Sequence, residues 1–135
     1  MLLVLCGPTA CGKSAVAAAL GRLTGGEVIC ADAFQLYDGM PVLTAQPGPE
    51  ERAAAAHHLY GSISLTEEMD AARYVRLAEK VIAEVQSRGR LPILTGGSGL
   101  YLKAITHGLS PLPPGDPGLR AELDALEPAE LTARL

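Results

Sequence analysis

One stretch near the start of the chain constrains the fold more than any other. An apolar run over residues 2–6 leads into a loop with the spacing G-x-x-x-x-G-K-S, and an alanine-rich helical pattern follows. The loop residues are Gly7, Pro8, Thr9, Ala10, Cys11, Gly12, Lys13 and Ser14. Glycines let backbone N–H groups surround an anion, and the following helix adds the positive end of its dipole. The stretch predicts a phosphate-binding loop, in which Lys13 reaches a terminal phosphate and Ser14 ligates Mg²⁺.

The composition is typical of a single globular domain from a reducing compartment. With 135 residues and 48% hydrophobic content, the chain is long enough for one domain with a substantial core. Its three cysteines lack metal-binding spacing, which favours a reducing compartment over a disulfide framework or a zinc site. The apolar run at residues 2–6 is too short for a signal peptide or a membrane span. The formal net charge of -4 argues against a large basic surface for nucleic acid. We expect a cytoplasmic protein without a membrane partner, and a monomer.

Two further apolar runs predict strands whose ends carry functional residues. Residues 27–31 and 91–95, together with residues 2–6, are the expected central strands of a parallel sheet. Asp32 follows one of them, and the glycine-rich run at residues 96–99 follows another. Because open parallel sheets bind ligands beyond their carboxyl edge, we expect both to lie near the phosphate-binding loop. The alternatives are a cap or turn at Asp32 and a tight strand-to-helix turn at the glycine run.

Helical periodicity and proline placement predict the remaining elements. An amphipathic helix is expected over residues 67–88, and shorter helices over residues 50–56 and 100–107 and after Asp116-Pro117 and Glu127-Pro128. Proline predicts a surface loop over residues 41–49 and a connector over residues 109–115.

Two histidines and the last helix suggest further expectations. His57 and His58 point in different directions on any regular element, so we expect packing and hydrogen bonding rather than a metal site.

The apolar face of the last helix has no later partner in the sequence, so we expect a fragment of a longer protein.

Four separated stretches together resemble one enzyme family. They are the phosphate-binding loop, Asp-Ala-Phe-Gln-Leu-Tyr-Asp-Gly-Met at residues 32–40, His-His-Leu at residues 57–59, and Gly-Gly-Ser-Gly-Leu-Tyr-Leu-Lys-Ala at residues 96–104. The combination resembles the tRNA dimethylallyltransferases, which prenylate adenosine next to the anticodon, and their relatives the adenylate isopentenyltransferases. We therefore expect a three-layer α/β domain of the P-loop NTPase-like kind with a parallel sheet over residues 1–108. Residues 109–135 would form a connector and the start of a helical tRNA-binding region.

The resemblance also implies roles for individual residues. The loop would hold the diphosphate of dimethylallyl diphosphate, with Thr9, Lys13 and Ser14 neutralising the leaving group and Mg²⁺ assisting. Asp32 would be the general base that accepts a proton from adenine N6, so the implied catalytic residues are Asp32, Thr9 and Lys13. The implied contacts with the tRNA anticodon arm are Asp32, Ala33, Phe34, Gln35, Ser98 and Arg120.

The chain departs from the family pattern, and rival functions remain. Ala33 stands where the family commonly has Ser, and Ala56 where it has Pro. Gln46 stands where it has Lys, and this replacement removes a positive charge and predicts weaker substrate binding.

One rival function is that of an adenylate isopentenyltransferase, which uses free AMP or ATP as acceptor. The other is a small-molecule kinase with an ATP-binding loop, which is less well supported because the third strand ends in Thr95-Gly96 rather than in a metal-binding Asp. The family's later Gln-Arg-x-x-Arg stretch is absent, so we expect this chain to bind diphosphate but to modify tRNA poorly.

Overall fold

A four-stranded parallel sheet forms the centre of the computed structural model, which describes residues 1–110 and 115–134. The strands are β1 (Leu3–Cys6), β2 (Glu27–Cys30), β3 (His57–His58) and β4 (Pro92–Gly96), in the spatial order β1-β4-β2-β3. Each neighbouring pair is parallel, and Thr95 of β4 lies opposite Leu5 of β1 on one side and Cys30 of β2 on the other. The three predicted strands are confirmed, and they end at one edge of the sheet.

The described part of the chain contains six helices. They are α1 (Lys13–Thr24), α2 (Pro49–Ala54), α3 (Ala71–Ser87), α4 (Gly99–His107), α5 (Pro117–Asp124) and α6 (Pro128–Arg134). Helix α1 packs against the sheet and α2, whereas α3 packs against the sheet and α4. This arrangement confirms the expected α/β class with a parallel sheet and flanking helices.

One predicted boundary was wrong and one strand was missed, each for an identifiable reason. Helix α3 begins at Ala71 rather than at residue 67, because the Asp70 carboxylate accepts a hydrogen bond from the Arg73 N–H and caps the helix. Glu67 lies before the helix and pairs with the Arg73 guanidinium. The histidines His57 and His58 form β3, a strand that the sequence did not predict because two residues show no periodicity.

A buried carboxylate holds the amino edge of the sheet together. Glu27, at the start of β2, is only 3% exposed. Its oxygens lie 2.6 Å from His58 Nε2 and 2.7 Å from Arg88 Nη2, and Arg90 Nη1 lies 3.5 Å away. His57 Nδ1 lies 2.8 Å from the Ala55 carbonyl oxygen. Hydrogen bonding is therefore the role of both histidines here, as expected, and the cluster joins β2, β3 and the end of α3.

The last two described helices are exposed. Neither α5 nor α6 contains a buried residue, although Asp116 caps α5 as predicted by accepting hydrogen bonds from the N–H groups of Gly118 and Leu119. Most of the connector predicted at residues 109–115 lies outside the described residues, and the division after residue 108 stays a prediction. Within the described residues, no helix combines the length and apolar character that crossing a membrane requires.

A substitution at Gly96 tests the closest contact in the sheet. A Cβ atom at this position would lie 2.1 Å from the carbonyl oxygen of Ala31, the residue directly after β2. We expect Gly96→Ala to lower the free energy of unfolding by roughly 3 kcal/mol or more, because backbone must move to admit the methyl group. Urea denaturation measures the change. Gly99→Ala is the matched control, since a Cβ there meets nothing within 4 Å, and an equal effect of both would contradict the prediction.

A substitution at Glu27 tests the charge cluster through its pH dependence. Hydrogen bonds from Arg88 first, and from His58, hold the pKa of Glu27 below its ordinary value of 4.5. Its stabilising contribution is therefore complete above the unfolded pKa and is lost as the pH falls through the lower folded pKa. At pH 7 we expect Glu27→Gln to cost roughly 1–3 kcal/mol, because charge-assisted hydrogen bonds are lost.

Chemical denaturation between pH 3 and pH 7 measures this effect. Stability of the unaltered chain should fall more steeply below pH 4.5 than that of the Glu27→Gln variant. Glu122→Gln, which breaks the exposed pair with Arg134, should change little and serves as the control. Parallel curves for the unaltered chain and Glu27→Gln would contradict the role assigned to this carboxylate.

Candidate active site

A cavity of about 280 Å³ opens at the carboxyl edge of the sheet. Its lining residues come from the phosphate-binding loop, the strand ends and the segment between β2 and β3, and they are Thr9, Ala10, Gly12, Lys13, Ser14, Ala15, Asp32, Gln35, Ala45, Glu51, Tyr60, Thr95 and Gly96. The expectation that Asp32 and both glycine-containing loops meet at this edge is confirmed. Burial raises the pKa of the Tyr60 hydroxyl, so Tyr60 stays neutral in this cavity.

The phosphate-binding loop has the backbone that its glycines predict. Gly12 adopts a left-handed conformation with φ of 86° where the loop enters α1, and Ala10 has φ of 63°, which is unfavourable for a residue with a Cβ. Strain of this kind persists at sites where the surrounding structure imposes it. The Lys13 ammonium donates a hydrogen bond to the Pro8 carbonyl oxygen at 2.6 Å, and Ser14 lies one residue further along α1. The loop therefore brings one cation, Lys13, and two hydroxyl residues, Thr9 and Ser14, to the cavity.

The two oxygens of the Asp32 carboxylate have different surroundings: one caps the turn that follows Asp32, and the other lies near Gly97 in the glycine-rich run at residues 96–99. Its Oδ1 accepts hydrogen bonds from the N–H groups of Phe34 at 3.0 Å and Gln35 at 3.4 Å. A Cβ atom built at Gly97 would lie 3.5 Å from Asp32 Oδ2 and 3.7 Å from the Gly7 carbonyl oxygen. The turn-capping interpretation of Asp32 is confirmed, and its role as a general base stays a prediction.

Ser98 joins the ends of β2 and β4. Its hydroxyl accepts a hydrogen bond from the Ala33 N–H at 2.8 Å, and its own N–H donates to the Ala31 carbonyl at 3.2 Å. Two of the residues that the resemblance assigns to tRNA, Ala33 and Ser98, are thus in direct contact. Their contact with tRNA remains a prediction.

A second, more apolar cavity of about 490 Å³ adjoins the first. It is lined by Thr9, Asp32, Phe34, Gln35, Met40, Leu43 and Thr44. Thr9, Asp32 and Gln35 line both cavities, so Asp32 lies where the cavity of the phosphate-binding loop meets the more apolar one. Arg120 lies elsewhere, on the exposed helix α5, and lines neither cavity; its predicted contact with tRNA is not tested by this geometry.

Two glutamines hold the proline-rich loop beside the cavity, a function that the sequence analysis missed. The Gln35 amide donates hydrogen bonds to the carbonyl oxygens of Thr44 and Ala45, at 2.9 and 2.8 Å. The Gln46 amide donates to the carbonyls of Gln35 and Tyr37, at 3.1 and 2.9 Å.

Gln46, which stands where the resembled family commonly has Lys, therefore uses its side-chain N–H groups in hydrogen bonds to backbone carbonyls. Arg52 Nη2 donates to Gln46 Oε1 at 3.2 Å, which places a positive charge beside this position. The weaker substrate binding expected from Gln46 stays a prediction. A polar residue that alternates with prolines gives no sequence signal for such contacts.

The sheet, the glycine-bounded loop and the helix that follows it define a P-loop NTPase-like α/β protein. Residues 35–135 match the family described as IPP transferase, and the chain belongs to this family. It is 52% identical over 123 residues to a protein named tRNA dimethylallyltransferase from Anaeromyxobacter sp. (strain K), with 91% of this chain and 40% of that protein aligned. The chain thus spans about two fifths of the length of the curated relatives it matches.

Solved structures agree with this assignment. The full-length tRNA isopentenylpyrophosphate transferase from Bacillus halodurans superposes with a TM-score of 0.79 at 38% identity, over 92% of this chain and 41% of that one. A eukaryotic dimethylallyltransferase described as acting on tRNA superposes with a TM-score of 0.82 at 26% identity, over 94% of this chain and 33% of that one.

A pair of substitutions at Gln46 tests its role in the loop. Glu in place of Gln46 loses both donated hydrogen bonds and brings a carboxylate close to two carbonyl oxygens, so we expect a loss of roughly 1–3 kcal/mol and faster proteolysis within residues 41–49. Gln46→Lys is the matched control, because its ammonium can donate to the same carbonyls. Both substitutions are made together with Arg52→Ala, because the Arg52 guanidinium would attract a carboxylate at position 46 and repel an ammonium. Thermal unfolding and limited proteolysis measure both effects. Equal behaviour of the two variants would show that the Gln46 donors do not hold the loop.

Proposed function

We propose that the protein transfers a dimethylallyl group from dimethylallyl diphosphate to N6 of the adenosine next to the anticodon in tRNA. The observation that carries the proposal is the position of Asp32, whose carboxylate lies at the junction of the phosphate-loop cavity and the apolar cavity. An allylic diphosphate has the matching composition, an anion joined to a small apolar group. Family membership and the names of the relatives support the reaction and its acceptor.

In this proposal the loop binds the leaving group. Its backbone N–H groups and the α1 amino end face the diphosphate, and the Lys13 ammonium turns from the Pro8 carbonyl to a phosphate oxygen. The Thr9 and Ser14 hydroxyls line the same cavity and add hydrogen bonds or ligands. These residues stabilise charge where it develops, which is the main requirement of a reaction that expels diphosphate.

The oxygen-rich donor set of this cavity fits Mg²⁺. Hydroxyl and carboxylate oxygens suit a hard cation, and Mg²⁺ in phosphate sites needs few protein ligands because phosphates and waters complete its coordination. Ser14 is the residue that would hold the ion, as in other loops of this spacing. When bound, Mg²⁺ neutralises part of the diphosphate charge.

Asp32 is the proposed general base. As adenine N6 forms a bond to C1 of the dimethylallyl group, the bond from C1 to the diphosphate oxygen breaks, and the N6 proton passes to the carboxylate. Oδ1 is engaged by the Phe34 and Gln35 N–H groups, so Oδ2 is the oxygen better placed to accept it. The target base must leave the anticodon stack to reach Asp32. Phe34, with 70% of its surface exposed beside the apolar cavity, is positioned to contact the extruded nucleotide.

Donor and acceptor assays test the proposed reaction. Binding of labelled dimethylallyl diphosphate and of ATP is compared by equilibrium dialysis, and an anticodon stem-loop, AMP and ATP are then compared as acceptors. We expect the chain to bind the prenyl donor and to prenylate the stem-loop in preference to AMP and ATP, but slowly, because the chain spans only about two fifths of the length of its relatives. Phosphate transfer from ATP without donor binding would identify a kinase instead, and prenylation of AMP alone would identify an adenylate isopentenyltransferase.

The substitution Asp32→Asn distinguishes a catalytic role of Asp32 as general base from a purely structural role as a turn cap. Asn caps about as well as Asp, so the turn to Gln35 should persist and diphosphate binding should be unchanged. Loss of the base should slow transfer by on the order of 10² to 10⁴-fold. Single-turnover kinetics measure the chemical step, and calorimetry measures donor binding. Asp38→Asn is the control, since Asp38 is exposed and lines neither cavity; an Asp32→Asn rate within a few-fold of the control would assign Asp32 to capping alone.

A further inference from the structure

Thr95 is a buried polar residue of the cavity that the mechanism above does not use. It lies in β4, is 3% exposed, and lines the 280 Å³ cavity together with Lys13, Ser14 and Asp32. Its Oγ1 is buried and has no hydrogen-bond partner among the described residues. Buried hydroxyls in folded proteins almost always have a partner, so an orphaned one at the wall of a binding cavity points to a partner that arrives with a ligand.

The strand register places Thr95 at the level where the phosphate-binding loop begins. Thr95 lies opposite Leu5, two residues before Gly7, where β1 turns into the loop. Parallel pairing therefore brings Thr95 to the level of the loop entrance, and the next residue, Gly96, has no side chain that could separate it from the cavity. Thr9, Ala10, Gly12 and Lys13 of the loop line the same cavity as Thr95. Backbone amides of such a loop and a lysine ammonium both favour an anion.

We propose that Thr95 is a further ligand-binding residue of this site, whose Oγ1–H donates a hydrogen bond to an oxygen of the bound diphosphate group. The identity of the anion rests on the proposed function, whereas the need of Oγ1 for a partner does not. Threonine at this position serves a different purpose from the metal-binding Asp of many nucleotide-hydrolysing proteins: it binds the anion without adding negative charge. The hydroxyl also explains why a fully buried strand has a polar side chain at its next-to-last residue.

Two substitutions separate binding from packing. Thr95→Val keeps the branched shape and removes only the hydroxyl, and Thr95→Ser keeps the hydroxyl and removes a methyl group. Isothermal titration calorimetry with inorganic pyrophosphate and with dimethylallyl diphosphate, each with Mg²⁺, measures affinity in the 135-residue chain. Thermal unfolding without ligand measures stability.

We expect Thr95→Val to bind both probes roughly tenfold more weakly or worse, because a hydrogen bond to a charged group is lost. Without ligand, the Val variant should be as stable as the unaltered chain or more stable, because it no longer buries an unpaired hydroxyl. Thr95→Ser should bind within about threefold of the unaltered chain, since it keeps the donor.

The outcomes distinguish this inference from the proposed function. Unchanged affinity of Thr95→Val overturns the inference and leaves the function standing, and so does a loss of affinity that Thr95→Ser shares. Weaker pyrophosphate binding by Thr95→Val, in a chain that does not bind dimethylallyl diphosphate, supports the inference and overturns the function. Failure of the unaltered chain to bind either probe overturns both.

Discussion

The close approach of β4 to the end of β2 is the contact on which the site depends. The Ala31 N–H donates to the Thr95 carbonyl at 2.7 Å, and Ala31 in turn accepts from the Ser98 N–H at 3.2 Å, so pairing continues beyond both strands. Only glycine fits between these contacts, because any Cβ at position 96 would overlap the Ala31 backbone. This spacing brings Asp32 beside the glycine loop, and β4 in turn holds β1 and its phosphate-binding loop in register.

The two edges of the sheet have different tasks. At the amino edge, Glu27 gathers His58, Arg88 and Arg90 into a charge cluster that is satisfied within the protein. At the carboxyl edge, the polar groups of Lys13, Ser14, Asp32 and Thr95 face a cavity. Charged interactions that stabilise the fold are thus kept apart from groups that are available to a ligand.

Sequence reasoning succeeded where one physical rule covers many residues. Parallel strands end at a common edge, so three apolar runs were enough to place Asp32 beside the phosphate-binding loop. It failed where a contact is specific to the folded chain. The strand at His57–His58 is defined by pairing with β2, and the start of α3 by the Asp70 cap. At Gln46 the sequence predicted only that a positive charge of the family pattern is missing. It does not reveal that the Gln46 amide donates hydrogen bonds to two carbonyl oxygens.

The cap at Asp32 has a consequence for how its free oxygen behaves. Two backbone N–H groups fix Oδ1, so the carboxylate cannot rotate about its terminal bond without breaking them. Oδ2 therefore points in one direction before any substrate arrives, and the orientational entropy that a mobile carboxylate would lose during reaction has already been lost during folding. In the proposed reaction, the turn that looks like ordinary local structure is therefore the part of the protein that aims the proton acceptor.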